Sequence, residues 1–190
     1  MFNRSLNFLR DVRGVAAMQF ALIITPLAIV YLGTVSAFDA YRSAQQATQT
    51  AVTLTDLVTR VIEMDDNRRD AMFITGNALM SRWGEDSNFS MSMTSVVIDP
   101  TSVGGDDDDD ESEPTLMVAW SEATSSAEIV ETADLDNYNL PTISLGESMV
   151  LVEIKGKYQA AFNGLGLPAY YTVERTAVRR PRFVNEVPYI

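Results

Sequence analysis

From Val15 to Phe38 the chain runs for 24 residues without a charged side chain. As a helix rising ~1.5 Å per residue, this run covers about 36 Å, more than a hydrocarbon core of ~30 Å, and leaves room for tilt. The helical pattern continues past Asp39 to about Asp65, with Ala40, Ala44, Ala47, Ala51, Leu54, Leu57, Val58, Val61 and Ile62 recurring at three- and four-residue steps. Its small-residue first half suits close packing, and its Leu/Val/Ile second half suits a sheet surface. A second helix is predicted over 68–83, burying Met72, Phe73, Leu79, Met80 and Trp83 and stopping near Gly84.

The period then changes to two. Phe89, Met91 and Met93 alternate with Ser90, Ser92 and Thr94 before Val96-Val97-Ile98. Leu116, Val118 and Trp120 alternate with Thr115, Met117 and Ala119, and Val150, Val152, Ile154 and Tyr158 with Leu151, Glu153, Lys155 and Lys157. Each run reads as a strand with one apolar face. A fourth strand is expected over 170–178, joined to the third through Gly164-Leu165-Gly166-Leu167-Pro168. Residues 123–146 have weak periodicity and Asp/Asn/Pro punctuation, and read as an irregular connection with room for one short edge strand. The fold class is therefore α+β: a long N-terminal helix laid on an antiparallel sheet of about four strands.

Charge divides the chain. Arg4, Arg10 and Arg13 against Asp11 leave the first 14 residues at +2, whereas the whole chain carries −12. Basic residues before the apolar run, with only Arg42 close behind it, predict a cytoplasmic amino terminus and an exported bulk. The organisation expected is a basic leader over 1–14, a transmembrane helix over 15–38 and an exported domain over 39–190 with an acidic loop at 99–114. A cleaved signal peptide is a rival reading, with Gly33, Ser36, Ala37 and Ala40 supplying small residues, but its apolar region would normally be shorter. A buried core helix is a second rival. Pro26 removes one backbone donor within the span and predicts a kink, accommodated by neighbouring helices or by a hydroxyl such as Thr25.

The residues around this span carry a resemblance. Arg13-Gly14-Val15-Ala16-Ala17-Met18-Gln19-Phe20-Ala21-Leu22, followed by Pro26, resembles the start of TadE/TadG-like minor pseudopilins of the tight-adherence (Flp-type IV) pilus. Leu116-Met117-Val118-Ala119-Trp120-Ser121 is similar to a mid-domain strand of TadG-like members, and Thr176-Ala177-Val178-Arg179-Arg180-Pro181-Arg182-Phe183 to the family's strand running into a basic Arg-Pro-Arg motif. The resemblance implies a pilin-like fold and cleavage between Gly14 and Val15 by a prepilin peptidase. It also implies subunit docking through position 19 and Phe20. The implied partners are other pilins or pseudopilins, the pilus assembly platform and the bacterial inner membrane, with the C-terminal domain periplasmic or on the cell surface. One position departs from the pattern: the family usually places Glu five residues after the Gly, and here Gln19 offers a neutral hydrogen bond where a carboxylate could pair with a neighbour's α-amino group. Gln19 reads equally as a polar residue satisfied at a helix–helix contact.

Composition narrows the chemistry. There is no cysteine and no histidine, which removes disulfides, thiolate metal sites, the Ser–His–Asp triad and the usual general base. The acidic bulk repels phosphate backbones, so nucleic acid is not an expected partner. Residues 106–111, after Gly104-Gly105, form a run of carboxylates. Asp106, Asp108 and Asp110 are weak calcium candidates, because consecutive carboxylates cannot all face one ion and the alternating EF-hand pattern is missing; a solvated loop is the plainer reading. Arg175, Arg179, Arg180 and Arg182 suit acidic partners, lipid head groups or intramolecular pairing with carboxylates such as Glu174. Abundant Asp and Glu leave a paired-carboxylate glycosidase open in principle, but no motif supports an enzyme, a cofactor or a small-molecule substrate. The expectation is a structural pseudopilin-like subunit for pilus assembly, priming or tip formation. The alternative is an uncleaved membrane-tethered envelope binding module or secretion-system component.

Overall fold

A computed structural model describes residues 13–83, 88–103, 115–124, 127–160 and 168–190. The chain divides into two compact units, one comprising residues 1–40 and 160–169, the other residues 41–159 and 170–190. Helix α1 spans Arg13–Val58 and helix α2 spans Asp66–Met80, followed by a 3₁₀ turn over Ser81–Trp83. Strands β1 (Asn88–Ile98), β2 (Leu116–Ala123), β3 (Ser148–Gln159) and β4 (Tyr170–Arg179) form one antiparallel sheet in the order β2-β1-β3-β4. The expected α+β class, a long N-terminal helix packed on four antiparallel strands, is the class found.

In the larger unit, Ala47, Ala51, Leu54 and Val58 of α1 are buried against Met91 and Met93 of β1, Val150, Val152 and Ile154 of β3, and Val173 and Ala177 of β4. These positions follow from the two periods: three- and four-residue steps line one face of a helix, and alternate residues line one face of a strand. Met64, Met80, Met91, Met93 and Met149 are all fully buried. The unbranched thioether fills irregular gaps where a helix with an alanine-rich face crosses a twisted sheet.

The helix ends earlier than its apolar pattern. The expected continuation to Asp65 stops at Val58, Arg60 and Val61 donate to the carbonyls three residues back, and the Thr59 carbonyl accepts the Arg182 backbone N–H at 2.9 Å. Ile62, expected on the helical face, is 64% exposed. Met64 is instead drawn into the core beside the C-terminal segment, donating to Pro188 O at 2.8 Å and accepting from Ile190 N at 2.9 Å. Helix α2 begins two residues before the expected Arg68, because the Asp65 side chain accepts the Arg68 N–H at 2.7 Å as an N-cap. Of its expected core residues, Met80 is buried and Met72 and Phe73 are partly buried, while Leu79 is 39% exposed. Trp83, in the turn beyond, is buried.

Two expectations about the sheet need correction. First, its apolar residues do not share one face. Val96, Ile98, Met149 and Leu151 form a second core on the side away from α1, covered by Val130, Leu135 and Ile143. Beyond Ala123, the last residue of β2, the connection to 146 carries no further strand among its described residues; it carries a 3₁₀ helix, Thr132–Asn137, and acts as the lid of that second core. Secondly, Trp120 does not share a face with Leu116 and Val118. Ser95 is opposite Trp120 and Val96 opposite Val118, so Ala119 is an extra residue, a bulge that reverses the alternation. Trp120 therefore joins the α1 core, and its indole N–H donates to Val187 O at 2.7 Å, while Leu116 and Val118 join the second core.

Candidate functional site

The apolar half of α1 is the first candidate. Val15, Met18, Phe20, Leu22, Ile23, Ile24, Leu27, Val30, Tyr31 and Phe38 are all more than 40% exposed, and the helix is long and apolar enough to cross a membrane. A water-exposed face of this kind is costly, whereas in lipid each Leu, Ile, Phe or Val contributes about 0.3–0.6 kcal/mol to insertion. Gly14 lies in the first turn, and Val15, Gln19 and Phe20 are exposed on the helix that follows. Pro26 sits inside an uninterrupted helix. The Thr25 hydroxyl donates to Ala21 O at 3.0 Å, one carbonyl away from Leu22 O, the acceptor that a proline at 26 leaves without its usual donor. The Thr34 hydroxyl bonds Val30 O at 2.8 Å. Both hydroxyls are thus satisfied within the helix, as a hydrocarbon environment requires. Arg4 and Arg10 lie outside the described residues.

The basic C-terminal motif is the second. Arg179 and Arg182 reach Asp56 in the last turn of α1, Arg179 at 3.5 Å, and Arg60 pairs with the same carboxylate at 2.6 Å. A carboxylate near a helix C-terminus opposes the helix dipole, and three guanidinium groups reverse that imbalance. Arg180 pairs with Glu147 at 3.0 Å and donates to Thr142 O at 2.9 Å, and Pro181 carries the chain between the two clamps. The acid expected to pair with this motif, Glu174, instead meets Lys155 at 3.4 Å, while Arg175 donates to the Glu174 backbone carbonyl. The motif thus ties the end of β4 to α1 and to the β3 entry.

The third feature was not among the sequence candidates. A cavity of about 570 Å³ opens on the sheet face away from α1, between the 128–140 segment and the β3–β4 surface. At its floor the Glu153 side chain is 5% exposed. Its Oε2 accepts from Lys155 Nζ at 3.0 Å and Tyr138 OH at 3.1 Å; its Oε1 is buried without a hydrogen-bond partner. Burial pushes the Glu153 carboxyl above its ordinary range, against the opposing pull of Lys155 and Tyr138. Burial and the Glu153 charge push Tyr138 up to about 12. Burial lowers Lys155, but the bond to Glu153 outweighs it and the ammonium is held above its usual value. The sequence does carry a trace of this site: Glu153 interrupts the apolar run Met149-Val150-Leu151-Val152-Glu153-Ile154. A buried charge in such a run marks either a pair or a ligand.

Asp106, Asp108 and Asp110 lie outside the described residues, and among the described residues no three acidic side chains converge as a metal ion would need. Comparison with family models, curated proteins and solved structures finds no match to this chain.

Proposed function

We propose that this protein is a membrane-anchored structural subunit, a minor pseudopilin-like component of a tight-adherence pilus. Residues 15–38 hold it in the bacterial inner membrane before assembly, with the amino terminus cytoplasmic and the 39–190 domain outside. The carrying observation is the exposed, charge-free half of α1 on the same helix whose 47–58 stretch builds a protein core. One face of chemistry serves lipid or neighbouring apolar helices, and the other serves a folded domain. The Gly14-Val15 junction and the Arg179–Arg182 motif, similar to those of TadE/TadG-like proteins, support the more specific identity. In this reading the protein catalyses nothing; its work is lateral helix packing, with Gln19 and Phe20 at the docking position and a prepilin peptidase as processing partner.

N-terminal sequencing and intact mass of the protein from piliated cells test the proposal. A mature chain beginning at Val15 and co-purifying with sheared pili is expected. A chain that retains Gly14 and the residues before it, in cells with active prepilin peptidase, would falsify processing. A second reading, an uncleaved membrane-tethered binding module, draws on two observations: Gln19 in place of a carboxylate, and the Glu153 cavity. Strict retention in the inner membrane with a partner outside the pilus would favour it.

A further inference from the structure

We infer that the cavity above Glu153 is a binding site for an organic cation bearing N–H donors, a primary ammonium or a guanidinium group. This goes beyond a structural-subunit role and does not depend on the membrane reading, since every lining residue lies within the larger unit.

Two independent observations meet here. The volume, about 570 Å³, falls within the ~300–1,000 Å³ typical of small-molecule sites. Within its walls a carboxylate is almost wholly removed from solvent while one of its oxygens lacks any donor. A buried acceptor left in that state is destabilising, and native structures leave few of them. A smaller cavity of about 260 Å³, lined by Ser90, Ser92 and Glu128, shares Glu153 and Lys155 as lining residues.

Charge selects the donor. The lining carries four carboxylates, Glu128, Asp134, Glu153 and Glu174, against the single ammonium of Lys155. Lys155 already serves Glu153 Oε2 and Glu174. An anion is therefore repelled, and a neutral polyol would leave the excess negative charge uncompensated. A metal ion needs several converging carboxylates, which the described residues do not provide. A planar guanidinium or a compact ammonium supplies N–H donors and positive charge together. Asn137, Asn139 and Thr176 along the lining add amide and hydroxyl acceptors for further N–H groups.

The test uses the full-length chain in a zwitterionic detergent, titrated calorimetrically with agmatine, with the peptide Gly-Arg-Gly-amide, with N-acetylglutamate and with sorbitol. Saturable sub-millimolar binding of at least one of the two cations, and none of the anion or the polyol, is expected. Tighter binding of agmatine assigns the site to a free amine, and tighter binding of the peptide to an arginine on a partner chain. Glu153→Gln, which keeps size and removes charge, should weaken binding about tenfold or more. Thr176→Trp, on the exposed surface of the edge strand β4, should do the same by obstruction, with thermal unfolding midpoints of both variants checked against the parent. Absence of saturable cation binding, undiminished binding in folded Glu153→Gln, or equal binding of sorbitol would overturn the assignment.

Discussion

Replacing Gly156 by alanine should destabilise the larger unit even though the backbone there tolerates any residue. Gly156 lies in β3 opposite Phe89 of β1. A Cβ at 156 would stand 2.7 Å from Trp83 Cζ3, 2.8 Å from the Asn88 carbonyl oxygen and 2.8 Å from Phe89 Cβ. Ordinary carbon contacts are about 3.5–4.0 Å, so each neighbour would have to retreat by roughly an ångström. Asn88 O belongs to the strand ladder, and Trp83 is wedged edge-on between Phe89 and Tyr158 at centroid distances of 6.0 and 5.8 Å. Overpacking of this kind costs about 1–3 kcal/mol. At roughly 2–4 °C per kcal/mol for a domain of this size, a measurable fall in the unfolding midpoint follows. Gly76 provides the control. A Cβ there would meet Met91 Sδ at 2.5 Å, Met91 Cε at 2.9 Å and Leu54 Cδ1 at 3.0 Å, all on side chains that can turn aside. Gly76→Ala also gains about 1 kcal/mol of helix propensity. Thermal and urea unfolding of both variants in detergent, followed by circular dichroism, should rank Gly156→Ala well below Gly76→Ala. Equal midpoints, or a stabilised Gly156→Ala, would refute the close-approach reasoning.

Further predictions concern the other features. Leu22→Arg places a charge inside the proposed span at a cost of about 2.5–3.5 kcal/mol, so the fraction resisting alkaline carbonate extraction should fall sharply, whereas Leu22→Phe should leave it unchanged. Trp120→Phe removes the indole donor from Val187 O and leaves a buried carbonyl unpaired, which should cost about 1–3 kcal/mol in chemical unfolding. Asp56→Ala releases Arg60, Arg179 and Arg182, which are about half exposed; the loss should be about 1 kcal/mol or less per pair, read most directly as faster amide exchange at Arg182. Because Glu153 titrates above its ordinary 4.5 in the folded chain, folding favours its protonated form. Its stabilising contribution is full below about pH 4.5 and is lost as pH rises through the folded value, so the stability difference between parent and Glu153→Gln should change across that window and level off above it.

Much of the architecture was legible because period is local. A 24-residue charge-free run, three- and four-residue steps along α1 and two-residue steps in parts of β1 and β3 each depend on neighbours in sequence, and those elements form where the pattern puts them, apart from the early stop of α1. The exposed apolar half of α1 was readable for the same reason. The failures come from contacts between distant residues. Helix α1 stops at Val58 because Arg182, 126 residues beyond Asp56, brings the C-terminal segment against its end, and no local breaker marks that point. Trp120 faces the helix because of one unpaired residue at Ala119, and a bulge depends on the partner strand's register, which strand periodicity does not encode.

The sequence by itself determined the class of the protein: a lipid-compatible helix leading into an acidic α+β domain without cysteine or histidine, whose elements follow from the spacing of apolar residues. Only the tertiary structure decided which charges meet. It gave the arginines of the C-terminal motif to Asp56 and Glu147 instead of Glu174, and it turned the apparently irregular 123–146 connection into the lid of a second core. It also buried Glu153 beneath that lid with one oxygen unanswered. Pairing energies depend on distance and burial in three dimensions, and those are set when strands 148–159 and 170–179 come together under a segment whose own pattern announces neither helix nor strand.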